Sequence, residues 1–191
     1  MLYENIALVL AYAIIGFGLK YIDEVFDKKV YSKKIALLFV IICSILIGVL
    51  CAIDKYSMAI FFAIILGVAI SGKIDNIAFK IGAILALCTV FLIKYLFLQG
   101  NISYFLYFVF FILLTMCILD EELDKVGHKK DIKLFKTRPF MKLAIFLLWV
   151  AQSITFIYVL AFFAFDIAYT FAEYKPPRKL HFDTNKGKWI R

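Results

Sequence analysis

Long apolar runs alternate with short charged ones along this chain. Ile35 to Ile53 is nineteen residues without a charge, and Ile102 to Leu119 is eighteen. Leu143 to Phe165 is twenty-three, with Gln152, Ser153 and Thr155 its only strongly polar side chains. A hydrocarbon core of ~30 Å needs about 20 apolar residues at the helical rise, so these three runs read as membrane spans. Asn5 to Ile22 is a fourth if Lys20 snorkels to the headgroups. Tyr56 to Gly72, at seventeen residues, is a fifth, and Ile77 to Leu98 is a sixth with Lys80 and Lys94 near its ends. Backbone groups in hydrocarbon must be satisfied within their own element, so all six should be helices. The pattern predicts an all-α polytopic transmembrane bundle over residues 1–175, followed by a basic C-terminal tail over 176–191. Pro176-Pro177 stops the last helix, and no long linker divides the chain.

Composition agrees. At 64% hydrophobic residues and a mean hydropathy of +0.93, the chain is too apolar for a water-soluble globule or a disordered polymer. The net charge of +8 points to anionic lipid at the cytoplasmic side rather than to nucleic acid. The N-terminus lacks the basic segment of a signal peptide, so the first run should remain as a helix. Cys43, Cys51, Cys88 and Cys117 all lie in apolar runs without ligand spacing, which suits buried small hydrophobes.

Cation counts orient the spans. Residues 20–34 carry five Lys/Arg, the 73–80 region two and residues 120–142 seven, against only Lys55 and Lys94 in the intervening loops. The N-terminus should therefore be outside a cell membrane and the three basic loops in the cytoplasm. Six complete spans would put the tail outside, although it carries six Lys/Arg. Either the tail is an exception, or the stretch from Phe140 to Tyr174 is broken or re-entrant; we read six spans.

Two inside loops open alike. Ile22-Asp23-Glu24-Val25-Phe26-Asp27-Lys28 closes the first span, and Leu119-Asp120-Glu121-Glu122-Leu123-Asp124-Lys125 closes the fifth. An internal duplication relating spans one and two to spans five and six would produce this echo, as would chance recurrence of acidic helix ends. Between spans three and four, Ser71-Gly72-Lys73-Ile74-Asp75-Asn76 forms a third acidic turn on the same face, with Asp75 or Asn76 placed to cap a helix.

On a continuing helix, Asp at i and i+4 puts two carboxylates on one face, as at Asp23/Asp27 and Asp120/Asp124. Two such pairs suit Mg²⁺, a hard cation often shared with substrate phosphates. Lys28, Lys73, Asp75, Asn76 and Lys125 are near enough in sequence to complete a diphosphate site.

These motifs resemble those of the UbiA-type intramembrane prenyltransferases, which carry two Asp-rich motifs on cytoplasmic loops of duplicated halves. Asp120, Asp124, Lys125 and Gly127 match the second motif, and Asp23 and Asp27 the first, which is shortened here and lacks its Asn. The resemblance implies a Mg²⁺-dependent transferase, with Asp23, Asp27, Asp120 and Asp124 holding the metal and a polyprenyl diphosphate as substrate. The residues leave two alternatives open. One is a non-catalytic membrane subunit or assembly protein, whose charged loop ends only anchor its helices. The other is a small cation transporter or channel, although no carboxylate stands at mid-span.

Overall fold

The computed structural model describes residues 2–28, 32–72, 76–97, 104–130, 138–173, 181–183 and 188–190. Seven helices stand among them: α1 (Leu2–Lys28), α2 (Lys33–Ile53), α3 (Lys55–Ile70), α4 (Ile77–Phe97), α5 (Tyr104–Lys130), α6 (Pro139–Val150) and α7 (Phe156–Ala172). Two short strands follow, β1 (His181–Asp183) and β2 (Lys188–Ile190), paired antiparallel within the tail. The all-helical reading holds for the bundle. By length and composition, α1, α2 and α4 can each cross a membrane, while α3, α6 and α7 are shorter apolar helices.

Small residues set the packing. Helices associating in lipid gain little from apolar burial and rely on close backbone approach. α1 lies on α7, α2 on α4 and α3 on α5. Gly16 of α1 meets the backbone of Phe165, where a Cβ would overlap the carbonyl oxygen. Gly18 meets the Sγ of Cys43 in the same way. Along the α2–α4 seam, Gly48 faces Ala86 and Thr89, while Gly82 faces Val40 and Ser44. Cys43, Cys51 and Cys117 are buried as free thiols, as their apolar settings suggest, whereas Cys88 is exposed on α4.

The predicted sixth span is not one helix. α6 stops at Val150 and α7 starts at Phe156. The closure is a Schellman turn: Gln152 N–H donates to the Trp149 carbonyl at 2.8 Å and Ser153 N–H to the Leu148 carbonyl at 2.8 Å. Gln152 occupies the left-handed position of that turn at φ 57°. Glycine is the usual residue there, so the stop is silent in the sequence. α6 and α7 then run back to back, with Lys142 Nζ 2.7 Å from Asp166 Oδ2 across the pair. At the far end of α7, Tyr158 donates to Asp54, which links α2 to α3. The hairpin thus starts and ends at the basic end of the bundle, and α7 delivers the tail to the end where α1 finishes.

The helices that follow the two acidic motifs also differ. α2 runs unbroken for 21 residues, whereas α6 stops after 12.

Replacing Gln152 with Gly should relieve the left-handed strain and leave stability unchanged or raise it by about 1 kcal/mol. Gln152→Val should lower it, because a β-branched residue tolerates this region worst. Thermal unfolding in detergent reads both. A Gly variant less stable than the native chain would contradict the turn.

Candidate functional site

The acidic motifs sit at the lower ends of α1 and α5, and both are helical throughout, as the i, i+4 reading requires. Lys20, one turn above the first motif, pairs with Asp23 at 2.7 Å and with buried Glu24 at 3.1 Å. It does not snorkel outward. On α5, Asp120 and Glu121 are both buried, while Glu122 and Lys125 form an exposed pair at 2.6 Å.

Arg138 joins the two motifs. Its guanidinium lies 3.2 Å from Glu121 Oε1, and its Cζ sits 4.9 Å from the centre of the Tyr169 ring on α7. Lys20 Nζ approaches the same ring at 5.2 Å. One tyrosine therefore lies between the cation of the α1 cluster and the cation of the α5 cluster, an arrangement that the negative faces of aromatic rings favour. Lys142 and Asp166 extend the network across the hairpin.

Asp120 has a different task. Arg138 precedes α6 in a left-handed conformation and supplies no side-chain cap, and Pro139 has no N–H to offer. The next two amides need acceptors. Asp120 supplies them from the neighbouring helix: Oδ1 accepts from Phe140 N–H at 2.9 Å and Oδ2 from Met141 N–H at 2.7 Å. Its negative charge also complements the positive end of the α6 dipole. Both groups lie beyond the apolar runs. Burial raises the Asp120 carboxyl above its ordinary range, against the two amides that lower it. For Arg138, burial pulls the guanidinium down, but Tyr169 and Glu121 more than reverse this and hold it charged.

A second polar cluster closes the opposite end. Asp54 caps α3 by accepting from Ser57 N–H at 2.8 Å and takes the Tyr158 hydroxyl at 2.7 Å. Ser57 Oγ accepts from buried Tyr12 at 2.9 Å. Cluster and network thus hold the hairpin at both of its ends.

The expected metal and phosphate residues are placed unevenly. Asp23 and Asp120 belong to the network, but one faces a lysine and the other two amides. Asp124 lies half-buried one turn below Asp120, and Lys125 pairs with Glu122. Asn76 accepts from Ala78 N–H at 2.9 Å and so starts α4, the capping role its position suggested. Lys73 and Asp75, with the side chains of Asp27 and Lys28, lie outside the described residues. Among the described residues, no group of three or more His, Cys, Asp or Glu side chains could hold a metal ion.

None of Arg138, Lys142, Asp166, Tyr169 and Asp54 is among the metal or phosphate residues expected from the sequence. A signal for three of them exists. Arg138 and Lys142 put cations at a helix start, where the dipole disfavours them, and Asp166 follows an uncharged run; each such charge demands a partner. Comparison with protein-family models, curated proteins and solved structures finds no match for this chain.

Asp120→Ala should orphan two amides at a partly buried helix start and destabilise the protein by about 1–3 kcal/mol. Asp120→Asn, which keeps an acceptor, should cost less. Hydrogen exchange at the Phe140 and Met141 amides should accelerate in step. Unchanged protection in Asp120→Ala would show that the cap contributes nothing.

Proposed function

We propose that this chain is a multi-pass integral membrane protein with its basic end, tail included, in the cytoplasm, acting as a non-catalytic membrane subunit. The topology is supported by charge. Adding the tail's six cations to the fourteen of the basic loops gives twenty Lys/Arg at one end, against Lys55 and Lys94 near the other. A sixth span broken between α6 and α7 supports this placement, because it returns the tail to the basic end.

The non-catalytic role is supported by one observation above all. Carboxylates of both acidic motifs are turned onto the protein's own groups: Asp23 and Glu24 onto Lys20, Glu121 onto Arg138, Asp120 onto the start of α6. A Mg²⁺–diphosphate site needs carboxylate oxygens facing a substrate cleft. Here those of α5 hold the start of α6, and those of α1 hold Lys20 of their own helix. Buried ion pairs of this kind rarely add net stability, but losing one partner strands the other charge. With the Lys20 and Arg138 contacts to Tyr169 and the Lys142–Asp166 pair, they favour one arrangement of α1, α5, α6 and α7, as an assembly surface requires.

A second reading keeps the Mg²⁺-dependent prenyl-diphosphate transferase, and the charge count favours it. Asp23, Glu24, Asp120, Glu121 and Asp166 outnumber Lys20, Arg138 and Lys142 in the network by five to three. Such an excess in a region of low dielectric attracts a cation.

Thermal stability in detergent separates the two, measured with and without Mg²⁺ and a short-chain prenyl diphosphate. The non-catalytic reading expects no shift, and no difference in Asp27→Asn/Asp124→Asn. A Mg²⁺-dependent rise that the double variant abolishes would replace it with the transferase. Topology is tested apart, by labelling single cysteines in whole cells: Gln99→Cys should react with an impermeant reagent and Lys188→Cys should not. An externally labelled residue 188 would overturn the assignment of the tail.

A further inference from the structure

We propose that the C-terminal tail is a membrane-docking element that binds the anionic surface of the bilayer its own bundle spans. The inference rests on the reading of the chain as a membrane protein whose tail emerges at the basic end.

Its first support is position. α7 ends at Ala172, less than one turn beyond Tyr169, whose ring stands beside Lys20 and Arg138. Residues 173–180 then connect to β1. Eight residues reach at most about 28 Å when fully extended, so the strands cannot leave the neighbourhood of the membrane surface.

Charge is the second. From Glu173 onward, Lys175, Arg178, Lys179, Lys186, Lys188 and Arg191 face only two acidic residues, Glu173 and Asp183. A segment of this balance beside a bilayer is drawn to anionic headgroups, and the attraction falls off within a Debye length.

The third is the register of the strands. His181 pairs with Ile190, Phe182 with Trp189 and Asp183 with Lys188. Directly opposed positions of an antiparallel pair share one face, so the register puts two aromatic positions, 182 and 189, on the same face, with cations close by in the chain. Aromatic residues prefer the headgroup level, and cations with interfacial aromatics make the usual pair of signals for surface attachment. A lone hairpin with three-residue strands is also marginal in water, so it needs a surface to lie on.

The test uses Trp189 as its own probe. The chain has two tryptophans, so Trp149→Phe leaves Trp189 alone. The variant is placed in nanodiscs of phosphatidylcholine alone or mixed with phosphatidylglycerol, with and without brominated lipid. A nanodisc exposes both faces, so this result is independent of the side on which Lys188→Cys labels in cells. In anionic discs the Trp189 emission should shift to the blue and be quenched by brominated lipid. High salt, or Lys186→Gln with Lys188→Gln, should reverse both. Where Trp149→Phe fails to fold, the difference between native and Trp189→Phe spectra gives the same signal. Solvent-like, unquenched emission in anionic discs overturns the proposal. Equal quenching in zwitterionic discs overturns it too, because charge would then play no part.

Discussion

The start of α6 is the constraint on which the rest of this structure depends. A helix that begins at Pro139 carries one buried and one partly buried amide, at Met141 and Phe140, that its own residues do not cap. An unsatisfied buried amide costs as much as a lost hydrogen bond, and lipid offers no substitute. Asp120 meets this need from α5, and in doing so fixes where α6 begins. Arg138 follows from the same junction. Its left-handed backbone turns the chain into α6 while its side chain closes on Glu121 and Tyr169.

With its start fixed, α6 can end early. Twelve residues rise about 18 Å, too little to cross a bilayer core, so the chain must turn and α7 must come back. The return sets Gly16 against Phe165 and brings Tyr169 between Lys20 and Arg138. The charged network is therefore a product of the hairpin as much as its support. Its pairs lie where the apolar runs stop, which lets ionised groups keep partial contact with the interface while their partners hold them.

Much of this was legible in the sequence. The apolar runs located the first five helices and the stretch that holds the last two, because a membrane punishes exposed backbone and leaves a strong record in the sequence. The conflict between six complete spans and a basic tail marked Phe140 to Tyr174 as a segment that could be broken, but the pattern still read as six spans. What hid the break was a single residue. Gln152 takes a conformation that Gly normally announces, and the flanking Ser153 and Thr155 are mild enough to pass within a span. The acidic motifs were found, but their ties to Arg138 and to the start of α6 were not. Spacing alone shows that Asp120 and Asp124 share a helix face; it does not show that the Phe140 and Met141 amides, twenty residues on, will claim the first of them. Lys20 illustrates the same limit, since one residue can snorkel or pair, and here it pairs with Asp23 and Glu24 one turn on, beside Tyr169 of α7.

If these charges latch a returning hairpin, the pair that joins its two helices, Lys142 and Asp166, tests this most directly. Lys142→Asp and Asp166→Lys, each alone, set like charges against each other across α6 and α7, and each should lower the thermal midpoint in detergent. The double swap restores opposite charges and places a carboxylate at the start of α6, where the helix dipole favours it. It should return to the native midpoint or exceed it. A double variant as unstable as the sum of the two single ones would mean that the pair does not couple α6 to α7, and the account would fail at its base.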